Sequence, residues 1–169
     1  MSIIGKKLHS LLNTPIKRKD HSNTVPFELA SSIGVLYTWT DQRSHSEIQN
    51  FITELSAIKE VMTLCFNPLK EPISVLDPVV HISELSNLGK LNSAAASKFM
   101  RTPLDYLFHL DFTLNEITQS ILAKSKAKCR IGIHSEQGQD YYEMMIGINK
   151  NAGFSNFAVQ MLKYAKEIK

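Results

Sequence analysis

Residues Asp105–Ile133 read DYLFHLDFTLNEITQSILAKSKAKCRIGI, and the fold turns on this stretch. An apolar, β-prone run, Leu104–Leu110, comes first. Ile117, Ile121 and Leu122 follow at helical spacing, and a second β-like run, Lys128–His134, closes the unit. Thr113 is the expected N-cap of the helix, with Glu116 at the capping-box position. Strand, helix and strand within 29 residues is the minimum unit of a parallel sheet, since parallel neighbours need a crossover of a dozen residues or more.

The same alternation extends in both directions. Upstream, Ser32–Trp39 (SIGVLYTW) is almost continuously apolar, as a strand covered on both faces should be. Ser44 is the expected N-cap of the next helix, with Glu47 completing a capping box and Ile48, Phe51, Ile52 and Leu55 as its buried stripe. A second strand is expected over Glu60–Phe66, a loop over Asn67–Pro78, a short third strand over Val79–Ser83 and a helix over Ser93–Met100, stopped by Pro103. Downstream, the polar turn Ser135–Asp140 is short enough for a hairpin. It predicts a sixth strand, Tyr142–Asn149, antiparallel to the fifth. A helix over Ser155–Ile168 ends the chain. The six prolines all fall outside these elements. The pattern predicts an α/β fold: a three-layer sandwich with a Rossmann-like, mostly parallel sheet of five to six strands and helices on both faces. The expected strand order is 3-2-1-4-5, with the sixth strand at one edge.

Composition bounds the function. The chain has 169 residues, 43% hydrophobic and 21% charged, which suits one globular domain. No apolar run approaches the roughly 20 residues needed to cross a bilayer. Cys65 and Cys129 lie in separate apolar runs without a CxxC, and read as buried thiols of a reducing, cytoplasmic compartment. Charge is uneven. Lys6, Lys7, Lys17, Arg18 and Lys19 precede the first acid, Asp20, so the first twenty residues sum to +4 and the remaining 149 to −1. Residues 1–23 therefore read as a basic head and linker, with Ile4, Leu8, Leu11 and Leu12 on one face of a helix ended by Pro15. Residues 24–169 read as a single α/β domain. The head is the element that a second copy or a protein partner would take up. Contact with a membrane surface through it alone would be weak. The neutral body does not indicate a nucleic-acid-binding face.

The segments IGVLY, DYLFHLDF, AKSKAKCRIGI and DYYEMMIGIN resemble a family of small uncharacterised proteins from Bacteroidota. That resemblance implies a bacterial cytoplasmic setting and no particular activity. Asp105–Ile133 also resembles the strand–helix–strand in the N-terminal half of the lipopolysaccharide heptosyltransferases, through Lys126-Ala127-Lys128 and Arg130-Ile131-Gly132. Those enzymes need two Rossmann-like halves and hold the nucleotide-sugar in the second, whereas this chain has room for one. In place of a glycine-rich loop after the first strand stands Thr38-Trp39-Thr40-Asp41.

Ligands of open α/β sheets bind beyond the carboxyl ends of the strands, where the strand order switches. The residues expected there are Thr40, Asp41, Arg43, Ser44, Asp111, His134 and Ser135, the candidate ligand-binding set. No catalytic residue is assigned. No cofactor is indicated, since GxGxxG, GxxxxGK[ST] and GxSxG are all missing. The six histidines include no HxxxH pair, so no metal site is expected, and His109 reads as a hydrogen-bonded core histidine. Gly34, Gly132 and Gly147 mark strand positions where something packs closely. Lys124, Lys126, Lys128 and Arg130 read as dipole-complementing and edge-protecting charges, with a phosphate patch as the alternative. The expected function is that of a non-catalytic interaction or binding domain. The alternative is a nucleotide- or sugar-phosphate-binding enzyme related to one half of a glycosyltransferase.

Overall fold

The computed structural model describes residues 23–87 and 89–169. The expected helix over residues 2–12 and nearly all of the linker lie outside the described residues. Six strands form one sheet: β1 (Ser32–Thr38), β2 (Glu60–Asn67), β3 (Val79–His81), β4 (Tyr106–His109), β5 (Cys129–Ile133) and β6 (Met144–Ile146). Their order is β3-β2-β1-β4-β5-β6, and every pairing is parallel. Among the described residues, four helices cover the sheet: α1 (Gln42–Ser56), α2 (Ala94–Arg101), α3 (Glu116–Lys124) and α4 (Gly153–Lys166).

The two faces follow from strand alternation. Ile33, Val35 and Tyr37 of β1, with Tyr106 and Phe108 of β4, enter one core with Phe51 and Leu55 of α1 and Phe157 and Met161 of α4. Leu36 and Leu107 point the other way, into a core with Phe99 of α2 and Ile121 and Leu122 of α3. The sheet is thus the middle of three layers, in keeping with strands that are apolar for most of their length. At Gly34 an added Cβ would lie 2.5 Å from Leu104 Cδ1 and 3.0 Å from the Phe99 ring, so the missing side chain lets the α2 layer close onto β1. Cys65 and Cys129 are free and buried, and burial pushes each thiol up to about 12.

The sixth strand lies at the edge but runs parallel to β5, pairing Ile131 with Met144 and Ile133 with Ile146. The expected hairpin is overruled by two contacts. The link after β5 makes a 3-10 turn at Gln137–Asp140 and folds back. The Tyr142 ring then fills the space over Gly132, where an added Cβ would sit 2.2 Å from a ring carbon. Next, Glu143 meets Arg130, accepting its backbone N–H at 2.6 Å and its guanidinium at 2.5 and 3.0 Å. A hairpin would carry both residues away from these partners.

Two expected caps move upstream or downstream. Asp41, not Ser44, caps α1, accepting the Ser44 N–H at 2.9 Å. Glu47 instead reaches across to α4 and accepts the N–H of Ser155 at 3.1 Å. Asn115, not Thr113, caps α3, in a capping box with Thr118. The edge-protection reading of the basic run also fails. β5 lies inside the sheet, Arg130 is buried against Glu143, and Lys128 pairs with Asp105 at 2.7 Å. Among the described residues no helix is long and apolar enough to cross a membrane.

Candidate functional site

The chain leaves β1 through α1 toward β2, and leaves β4 through α3 toward β5, although β1 and β4 are neighbours. The switch in strand order therefore falls between them, with Thr38 as the last residue of β1 and Asp111 two residues past the end of β4. The Thr38 N–H donates to Asp111 Oδ1 at 2.7 Å, and the Thr38 hydroxyl to Oδ2 at 2.6 Å. His109 Nε2 lies 2.9 Å from the same Oδ2. His109 Nδ1 lies 2.5 Å from the Tyr142 hydroxyl. On the other side, Asn115 Nδ2 donates to the Thr38 hydroxyl at 2.9 Å, while its Oδ1 caps α3.

The proton directions follow from this chain of contacts. A carboxylate on Nε2 fixes the hydrogen there, so Nδ1 accepts from Tyr142. Burial, and then the nearby Asp111 charge, raise Tyr142 well above the ordinary phenol range, so it keeps the proton it donates. His109 is fully buried, and Asp111 and Tyr142 are each 6% exposed. An aspartate, a histidine and a tyrosine in line have the layout of a proton relay. Here each polar atom is already engaged by a neighbour, so the set works as a lock. It pins β1, β4, the start of α3 and the link before β6 to one another.

The other sequence-predicted residues do not join it. Asp41 is occupied by capping α1, its carboxyl held below the usual range by the N–H and hydroxyl of Ser44. Thr40 is exposed, and Arg43, with a side chain 91% exposed, lies 3.6 Å from Glu47. His134 is exposed past β5, and the Ser135 hydroxyl accepts the Gly138 N–H at 2.9 Å. No hydrogen bond connects Asp111 with Asp41 or with His134. Among the described residues, no three His, Cys, Asp or Glu side chains gather as a metal site would need.

A family model with the description "family of unknown function (DUF6913)" matches residues 2–168. The chain belongs to that family. The match runs through the basic head and the α/β body alike, and the family's description supplies no activity to transfer. No curated protein and no solved structure matches the chain.

Sequence reasoning missed a second polar cluster, on the α1 side of the sheet. Asp77 accepts from the Tyr37 hydroxyl, from Gln49 Nε2 and, at 2.7 Å, from the Thr63 hydroxyl. His45 Nδ1 lies 3.4 Å from the Tyr37 hydroxyl, and the Trp39 ring packs beside His45 at 5.1 Å between centroids. The only signal for it was Asp77-Pro78 at the end of a loop, a pattern common to many turns. Burial, helped by Asp77, raises the Tyr37 hydroxyl far above its ordinary range. This cluster also closes on itself, staking the loop before β3 to α1 and β2.

Proposed function

We propose that this protein is a non-catalytic interaction domain that works through protein contacts. The single observation behind the reading is the self-satisfied switch point. Asp111 takes two hydrogen bonds from Thr38 and one contact from His109, with Asn115 and Tyr142 closing the two ends. A catalytic group needs open donor or acceptor capacity toward a substrate. A cytoplasmic setting, in Bacteroidota as the sequence resemblance implies, is in keeping with two buried, unpaired thiols. The partner in this reading is a second copy of the chain, taken up through the basic head. Light scattering tests it on the full chain. A dimer mass is expected, returning to a monomer on Leu8→Asp with Leu11→Asp. A monomer before and after would end the reading.

A second reading has one observation in its favour, the parallel strand order with its switch between β1 and β4. It is a nucleotide- or sugar-phosphate-binding enzyme akin to half a glycosyltransferase, with Thr40, Asp41, Arg43, Ser44, Asp111, His134 and Ser135 around the ligand. Against it, Lys128 and Arg130 of the shared motif are engaged by Asp105 and Glu143. A thermal-shift screen with nucleotides and nucleotide-sugars separates the two readings, because a ligand that binds the native state must raise Tm. No shift at millimolar ligand is expected. A reproducible rise would favour the enzyme.

A further inference from the structure

We propose that the amino edge of the sheet is a docking face for an anionic lipid surface. The observation is a segregation of charge within the nearly neutral body. Each helix of this parallel fold runs back against the strands, so the helix C-termini collect beyond the amino ends of the strands. Their last turns carry Lys98 and Arg101 on α2, Lys124 on α3, and Lys163 and Lys166 on α4. The links into the strands add Lys59 before β2, and Lys126 and Lys128 before β5; Lys169 follows α4. Opposing these nine are five acids. Glu28 lies in the turn before β1, Glu54 in the last turn of α1, Glu60 at the start of β2, Asp105 before β4 and Glu167 after α4. Arg130 and Glu143, level with each other at the starts of β5 and β6, are paired and cancel, and Asp77 before β3 lies level with Thr63 inside the sheet, so the edge carries +4. Residues 21–169 hold 14 basic and 15 acidic residues in all, so everything away from this edge sums to −5.

Complementing helix dipoles explains lysines in last turns. It does not explain Lys126, which lies past α3, nor the apolar groups among these cations. Leu29 is 76% exposed and Ile58 55% exposed. Lys59 Nζ donates to the carbonyls of Glu28 and Ala30 at 2.9 and 2.7 Å, tying the turn that bears Leu29 to the loop that bears Ile58. Bare aliphatic tips among lysines suit the boundary between lipid headgroups and acyl chains, where cations meet phosphates and apolar groups sink. A single-stranded nucleic acid would ask for several stacking aromatic rings, whereas Tyr164, 40% exposed in the last turn of α4, is the one exposed ring among the described residues of this edge. An open groove of about 680 Å³, lined by Ala94, Ser97, Lys98, Arg101, Thr102 and Pro103, runs along α2 and reaches this edge. The Lys126 N–H bonds the Met100 carbonyl at 3.0 Å, which sets Lys126 beside it. The described chain also enters here, since the Val25 carbonyl accepts from the hydroxyl of Tyr106, the first residue of β4. The surface lies at the opposite end from the switch point and is independent of how that site is read.

Sedimentation of the full chain with phosphatidylglycerol–phosphatidylcholine vesicles tests the proposal, beside pure phosphatidylcholine vesicles and polyuridylate. Binding to the anionic vesicles alone is expected, weakening steeply with salt. Lys98→Gln with Arg101→Gln should weaken it by more than tenfold, at about fivefold per charge near the surface. Leu29→Ser with Ile58→Ser should weaken vesicle binding roughly tenfold with every charge kept. Lys70→Gln with Lys150→Gln, at the other end, should change nothing. These positions are exposed, and circular dichroism verifies that each variant is folded. No vesicle binding, equal binding to neutral vesicles, or wild-type binding by either edge variant would overturn the proposal. So would binding of polyuridylate in preference to vesicles.

Discussion

Tyr142 does two things at once: its hydroxyl meets His109 Nδ1 at 2.5 Å, and its ring fills the volume that Gly132 leaves. Tyr142→Phe would leave a fully buried imidazole nitrogen without a partner, an expected loss of about 1–3 kcal/mol in urea unfolding. Gly132→Ala forces the ring away and should cost at least as much. In a Tyr142→Ala background the Gly132→Ala penalty should shrink, because the clash is gone, and a double-mutant cycle reads this coupling directly. Asp105 offers a pH test. Burial raises its pKa, but the ammonium of Lys128 and the donors of Ser31 and Ser32 outweigh that and hold it at about 2, against 3.8 for the free side chain. A depressed folded pKa stabilises above the unfolded value, so the contribution is complete above about pH 4 and is lost as pH falls through 2. Lys128 is 40% exposed, so screening trims the contribution to about 1 kcal/mol. Asp105→Asn should flatten the acid limb of a stability–pH curve over that window and leave the neutral-pH shape unchanged.

Among the elements, β6 depends on the Arg130–Glu143 pair, whose side chains are 5% and 4% exposed. Glu143→Gln strands a buried guanidinium, with an expected loss of about 3–5 kcal/mol. Replacing both, as Arg130→Met with Glu143→Leu, should recover most of it in the same unfolding assay. The pair also shows where sequence reading stops. β1, β2 and β4 are legible because their runs are mostly apolar and β-prone, a local property. The direction of β6 depends on Tyr142 finding Gly132 and Glu143 finding Arg130, contacts that a short polar turn does not announce. The caps fail for a similar reason. Asp41 and Ser44 are both good cap residues, and the choice rests on which one accepts, which here is Asp41. Asn115 wins over Thr113 because its amide can cap α3 and bind Thr38 together.

For the whole molecule, the centre of the sheet should be the last part to open. β1 is hydrogen-bonded on both sides and buried on both faces, so its amides should exchange at a rate near global unfolding, with β3 and β6 far faster. Hydrogen exchange by mass spectrometry would show that gradient; uniform exchange across the sheet would contradict it. The candidate site is only partly legible in the sequence. His109 and Asp111 share a face at spacing two, and Thr38 comes opposite once β1 and β4 are neighbours, yet Asp41 and His134 turn to separate local tasks. The charge asymmetry is less legible still, since Lys98 and Lys163 stand far apart along the chain and meet at one end only when the helices align.

The sheet tapers from strands of seven and eight residues at β1 and β2 to three residues at each border, β3 and β6. A foreign strand laid along either border would find barely one repeat of free backbone groups. Growth into a fibre by strand addition at these two borders is thereby disfavoured, and so is capture of an extended peptide there in the β-augmentation manner. A partner that binds the described body must meet its side chains, on a helical flank or at one of the two ends.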